Sequence, residues 1–560
     1  MTNASSRFKN ARALAALALS ASLAAAGCSG GGGGDGGGTG STGGGTSPPP
    51  PPPAVTTPVW AAGVFEPASD FKDLCAVVRP GVDIEGNAFP DQPGSLVEEK
   101  FWLRSWTYET YLWNNEVADL DPGGPEDRLE YFEQLKTTAT TPSGIAKDPF
   151  HFSAPTEEFL AERNSVPTAS YGAALISFSV FPPRDYRVLF TEPGSPASEE
   201  VLGQPKLVRG SKILTVDGVD LVFGGATQAE IDILSAGLFP ATAGETHTFV
   251  VEDPGAAGTR TVTLQAVDIA PEPVNRTAVI DTPTGKVGYI LFNTFSPFAS
   301  EADVADAMTA MKAEGIDDLV LDLRYNGGGL LAVASQLSYM IAGDTATAGR
   351  TFEQLEFNGD AGIFDPVTGE INEPTPFLDI GLGFSLAPNE ALDSLALSRV
   401  FILSSEATCS ASESVINSLR GIDVEVILIG DGTCGKPYGF YPTDNCGETY
   451  FTIQFRGVNH KGFGDYADGF IPANDSSIWG VRLPGCSVAD DLDHELGEVD
   501  EALLAAALQY REDGSCPIAP LDLGGPPDLS AQSADGPQVA SADTTPLQAF
   551  LRSNRDMTMP

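Results

Sequence analysis

From about residue 275 to residue 515 the chain alternates between short apolar runs of β character and segments of helical period, and this alternation limits the fold more than any other feature. "GKVGYILFNTF" reads as a strand. "EADVADAMTAMKAEG" reads as an amphipathic helix, with Val304, Ala307, Met308 and Met311 on one face and Gly315 closing it. "DDLVLDLRYNGGG" is a buried strand running into a glycine loop, and "LLAVASQLSYMIAG", apolar almost all round, predicts a helix inside the core. "SRVFILSS", the serine-rich "ATCSASESV" and "VEVILIG" supply another strand–helix–strand unit. Parallel strands need crossover helices, so the pattern predicts a mainly parallel sheet covered by helices.

A chain of 560 residues exceeds one hydrophobic core. Residues 61–166 predict a helical N-terminal domain, in which Phe101, Trp102, Trp106, Tyr108, Leu112 and Trp113 largely recur at helical spacing as a packing face. Residues 167–272 change to short strands and turns. "YGAALISFSV" and "YRVLFTE" are strands, "KILTVDGVDL" holds an Asp-Gly turn, and a hairpin surrounds "PGAAG". Short helices are expected over "PGSPASEEVLG" and "TQAEIDILSAGL". The α/β core is placed at 273–516, and the Pro-, Gly-, Ser- and Asp-rich stretch 517–560 is expected to be disordered. The fold class is therefore multi-domain, combining α+β and α/β parts.

Residues 1–27 are a targeting segment. Arg7, Lys9 and Arg12 precede a short apolar run that ends in "AAGC", which resembles a bacterial lipoprotein signal with Cys28 as the lipidated first residue. Residues 28–60 form a tether, a glycine-rich coil followed by the prolines Pro48 to Pro53. The expected location is a membrane surface facing the periplasm or the cell exterior, reached through the lipid anchor alone. A formal charge of −45 argues against nucleic acid or an anionic membrane surface as partner. Export permits disulfides. Cys434 and Cys446 are placed for a local hairpin bridge, Cys486–Cys516 would fasten the end of the core, and Cys75 and Cys409 are left over. With no CxxC and only four histidines, neither a metal site nor a cofactor is expected.

Ser410 lies where a strand gives way to a helix, so it should stand at the carboxyl edge of the sheet, where α/β proteins place their sites. An oxyanion formed by its attack would meet the Ala411 N–H at the positive end of that helix. A second donor is expected from the glycine loop, at Gly328. The same "SASE" also fits a capping box, in which Ser410 caps the helix and Glu413 reaches back. A serine hydroxyl needs a base. Lys436 follows the next strand and should emerge at the same edge, and burial can depress a lysine far enough to supply neutral amine. His460 and His494 are the alternative bases.

Three motifs occur in order: "DLRYNGGG" from Asp322, "SASE" from Ser410, and a Gly-Lys ending at Lys436, 26 residues beyond Ser410. In this the chain resembles the C-terminal-processing (tail-specific) serine peptidases, which use a Ser-Lys dyad. The resemblance implies that 167–272 is a PDZ-like domain, with "YGAAL" placed like its carboxylate-binding loop, and that 273–516 is the peptidase core. The family often carries a Gln four residues after the Lys to orient it; here that position is Phe440, and Asp444, Glu448 or Gln454 could supply the orienting group. The implied activity is that of an exported, lipid-anchored serine endopeptidase taking protein or peptide substrates by their C-termini. The alternatives are an inactive peptide- or ligand-binding protein on the same fold, and a Ser-His esterase-like hydrolase.

Overall fold

The computed structural model describes residues 58–517 and 554–558. The expected signal and nearly all of the tether lie outside these residues, as does most of the expected C-terminal tail. The helices are, in chain order, α1 (Leu96–Thr110), α2 (Arg128–Glu133), α3 (Thr156–Arg163), α4 (Gln228–Leu238), α5 (Ser300–Glu314), α6 (Leu331–Thr347), α7 (Ala411–Gly421) and α8 (Ala502–Asp513). Among the described residues, no helix is long and apolar enough to cross a membrane.

A six-stranded sheet organises the α/β part. Its spatial order is Val274–Thr282, Gly285–Phe292, Asp318–Asp322, Arg399–Ser404, Glu425–Gly430 and Gly485–Ser487. The first pair is antiparallel and the other pairings are parallel. Side chains alternate across the strands. Ile290, Leu319, Leu321, Ile402 and Leu428 face α5, α6 and α7. Val287, Val320, Phe401 and Ile427 face α8 and Leu189 and Phe190 of the β module. Helix α6 is buried along most of its length, as its apolar sequence demands, and α5 ends on Gly315 in the left-handed conformation.

The β module is an antiparallel sheet in the order Thr259–Gln265, Thr246–Glu252, Lys212–Val216, Asp185–Thr191 and Ala173–Ser179, with α4 closing its own apolar core. Asp217 and Gly218 both take positive φ in the expected turn. The helix expected over "PGSPASEEVLG" does not form. That stretch is a series of turns leading to a tight hairpin, Glu200–Val201 against Gln204–Pro205, with Leu202 and Gly203 both at positive φ. The pairing of Glu200–Val201 with Gln204–Pro205 takes up the backbone groups that a helix there would use.

Residues 61–166 do not form a self-contained helical domain. Phe152–Pro155 pairs antiparallel with Glu448–Phe451. The aromatic face of α1, Phe101, Trp102 and Trp106, shares one core with Tyr450. Cys75 is disulfide-bonded to Cys446, and Cys409 to Cys434, so the expected Cys434–Cys446 hairpin bridge is corrected. Cys486–Cys516 forms as expected. The chain also departs from expectation at its end, where Asn554–Asp556 is a strand paired with Gly328–Leu330.

Candidate active site

The strand Asp318–Asp322 leaves the sheet at its carboxyl edge and enters the glycine loop. Arg324 is completely buried there and is fixed by Asp322, Asp490 and Glu501 at 2.7–2.9 Å. Burial opposes its charge, but these carboxylates hold its pKa well above the ordinary value. Asp490 also binds Arg209 of the β module at 2.8 Å, so one carboxylate serves both guanidiniums.

Asn326 ties this loop to the serine turn. Its Nδ2 donates to the Phe292 carbonyl at 2.8 Å and its Oδ1 accepts the Gly328 N–H at 2.9 Å. Its own carbonyl accepts the Cys409 N–H at 3.1 Å and Ser412 Oγ at 3.0 Å. The Gly328 N–H, expected as an oxyanion donor, is therefore already engaged. The Gly328 carbonyl accepts the Phe295 N–H and the Leu330 N–H donates to the Phe295 carbonyl. Strand alternation then turns the Gly329 N–H and C=O to the opposite edge. A Cβ on Gly329 would meet the Phe295 and Ser296 backbone at 2.2 Å, and its φ is +135°, so only glycine fits.

Ser410 opens α7 with φ 60° and ψ −110°, a conformation costly for any residue with a side chain. Its Oγ is buried and has no hydrogen-bond partner. Half of the expected capping box forms, because the Ser410 N–H donates to Glu413 Oε2 at 2.9 Å. The same oxygen accepts the Lys436 N–H at 2.8 Å. Glu413 Oε1 accepts the Gly435 N–H at 2.9 Å and Thr433 Oγ1 at 2.6 Å. Burial raises the Glu413 pKa, and these four donors pull it back. Beside them Cys409–Cys434 joins the two loops covalently, with a Cα separation of 5.2 Å. Sequence reasoning treated Glu413 only as a cap and left Cys409 without a partner. The signal for both lay in "CSASE" and "TCGK", each with its cysteine beside a residue of the candidate dyad.

Lys436 is completely buried. Its Nζ lies 4.6 Å from the Phe440 ring centre and 4.8 Å from that of Phe150. Phe440, at the position that departs from the family pattern, thus forms one wall of the amine's pocket, and the N-terminal region supplies another. Asp148 is nearby; burial raises its pKa, while its bond from Tyr111 and the charge of Lys436 act against that. The three residues weighed as orienting groups have other work. Asp444 is exposed and accepts Thr449 Oγ1 at 2.5 Å. Glu448 accepts Ser153 Oγ at 2.6 Å. Gln454 accepts the Tyr441 N–H at 2.6 Å and donates to Thr110 Oγ1 at 3.3 Å.

The alternative bases are held elsewhere. His460 Nδ1 accepts the Thr351 N–H at 3.2 Å. His494 is exposed and its pKa is raised by Asp491, 2.7 Å away. In the β module, Tyr171 to Leu175, with Glu192 and Leu238, line a cavity of about 300 Å³. Burial pushes the Glu192 carboxyl up to about 7.

Residues 286–440, from the second sheet strand to Phe440, match the profile of Peptidase family S41. The match takes in the glycine loop, Ser410 and Lys436. Two relatives of this chain are each named "Carboxyl-terminal-processing protease". That of Picosynechococcus sp. is 28% identical over 250 residues, covering 44% of this chain and 50% of the relative. That of Synechocystis sp. is 31% identical over 210 residues, covering 35% and 44%. The chain thus spans about half the length of these relatives. A crystal structure described as an S41 protease of Bacteroides fragilis shares the fold, with a TM-score of 0.55 at 22% identity, covering 74% of this chain and 97% of that one.

Proposed function

We propose that this S41 chain is a serine endopeptidase in which Ser410 attacks the scissile carbonyl and Lys436, as neutral amine, takes the hydroxyl proton. The observation that carries the reading is Glu413, whose carboxylate ties the Ser410 and Lys436 backbones to a single oxygen while leaving Ser410 Oγ unpartnered. Burial of Lys436 disfavours its ammonium form, which is what a lysine base requires. The tetrahedral oxyanion is assigned to the Ala411 N–H, at the first turn of α7, and to the Gly329 N–H. Neither needs a metal or cofactor.

The β module acts as a PDZ-like receptor for a substrate's C-terminus. Its cavity beside "YGAAL" supports this, since strand addition there would bring a chain end to backbone N–H groups. Cys28 anchors the exported chain by lipid, a reading supported by three disulfides in the folded part. Incubating the purified protein with an unfolded protein substrate tests the mechanism. Cleavage that is lost in both Ser410→Ala and Lys436→Ala is expected; cleavage unchanged in either overturns the dyad.

One observation favours a second reading. The two aromatic rings beside Lys436 Nζ also suit a held ammonium, as in a non-catalytic binding protein. Absence of cleavage together with retained peptide binding would select it.

A further inference from the structure

The last residues of the chain run back into the cleft between the glycine loop and the lysine loop. Asn554–Asp556 adds in parallel to Gly328–Leu330, in the register Gly328↔Asn554, Gly329↔Arg555 and Leu330↔Asp556. Tyr438–Gly439 and α7, which begins next to Ser410, also border this strand. Beyond it the Met557 N–H donates to the Phe440 carbonyl at 3.2 Å. Met557 packs, half-buried, on the core cluster that contains Phe295, Leu330, Ala411 and Val415. The segment therefore lies along the edge to which Gly329 turns its N–H and C=O, and it ends against the residue that walls Lys436.

A strand edge left open inside a cleft is a template for an extended peptide, with main-chain hydrogen bonds giving affinity that is largely indifferent to sequence. In this molecule the edge is already paired, by Asn554–Asp556 of the same chain. We propose that residues 554–558 are an intramolecular occupant of the substrate edge, a segment of the same chain that competes with substrate for Gly328–Leu330. The proposal rests on the reading of the Ser410 cleft as the substrate site. It also deepens that reading, because it makes the edge itself a receptor for extended segments. A tethered segment meets its site at an effective concentration of order mM. A free peptide is a poor rival at that level, whereas a substrate held on the β module is tethered too and competes on equal terms.

The test uses the full chain and one ending at Ser553, each with Ser410→Ala for binding and with Ser410 intact for turnover. The probe is a fluorescent peptide with the sequence of residues 554–560, Asn-Arg-Asp-Met-Thr-Met-Pro. The shortened chain is expected to bind it at least about tenfold more tightly than the full chain, and to cleave an unfolded protein with a correspondingly lower KM. Met557→Pro, which removes the N–H given to Phe440, should shift both readouts the same way without deleting anything. Equal peptide binding by full and shortened chains overturns the proposal. So does self-competition that grows with protein concentration, since it would place the segment in a second copy. If neither chain cleaves but the binding difference holds, the occupant stands and the peptidase reading fails. Cleavage with no binding difference gives the reverse.

Discussion

Glu413 accepts hydrogen bonds from four groups on two loops, so its removal should be felt in both stability and turnover. Gln is nearly isosteric but turns an NH2 toward two backbone donors. Glu413→Gln is expected to lower the unfolding free energy by about 2–4 kcal/mol, judged from hydrogen bonds to charged groups, and to cut kcat far more than KM. Calorimetry and kinetics on the variant check this. Glu192 makes a pH prediction. With its carboxyl pushed up to about 7 by burial, it is neutral below that pH and leaves the β-module cavity acceptable to a peptide carboxylate. As pH rises through about 7 its charge appears and repels that carboxylate, so binding of a C-terminal peptide should weaken from pH 6 to pH 8. Glu192→Gln should abolish most of this dependence; an unchanged profile would show that the cavity does not hold the carboxylate.

At the level of elements, the turn before α7 and the loop after Glu425–Gly430 are aligned by Cys409–Cys434. The bridge spans 25 residues of sequence. Closing a loop of that order is worth about 3 kcal/mol in the chain-entropy account. Dithiothreitol, or the double variant Cys409→Ala/Cys434→Ala, is expected to lower both Tm and kcat, with the reductant having no further effect on turnover in the double variant beyond that of the other two bridges. Gly329→Ala should remove activity through the backbone clash described above. These elements were largely legible in the sequence. Strand and helix periods located the sheet, α5, α6 and the Ser410 turn, because apolar spacing is a local property. The direction of an N–H is not. Gly328 was the expected donor, but Asn326 engages its N–H, and that bond depends on a side chain two residues away folding back on its own loop. Pairing of Cys434 with Cys446 looked natural by proximity in sequence, yet each cysteine sits beside a distant partner, set by the sheet edge and by the N-terminal packing.

For the molecule as a whole, the decisive fact is which parts can stand alone. The β module has its own core, so residues 167–272 expressed separately should unfold in one cooperative transition. Residues 61–166 share cores, a strand pairing and Cys75–Cys446 with the α/β part, so a chain beginning at residue 167 should be insoluble or molten. Phe150, which walls Lys436, belongs to that same stretch. What the sequence could not show for residues 61–166 is their partner: a run of aromatics marks a buried face but not which element covers it. The Cys409–Cys434 link bears on timing as well as geometry. A reducing environment would leave those thiols unjoined, and the Ser410 turn and the Lys436 loop would lose their covalent tie. Oxidation would then lock the two loops together, so the order of the Ser410 turn would follow the redox state of its surroundings.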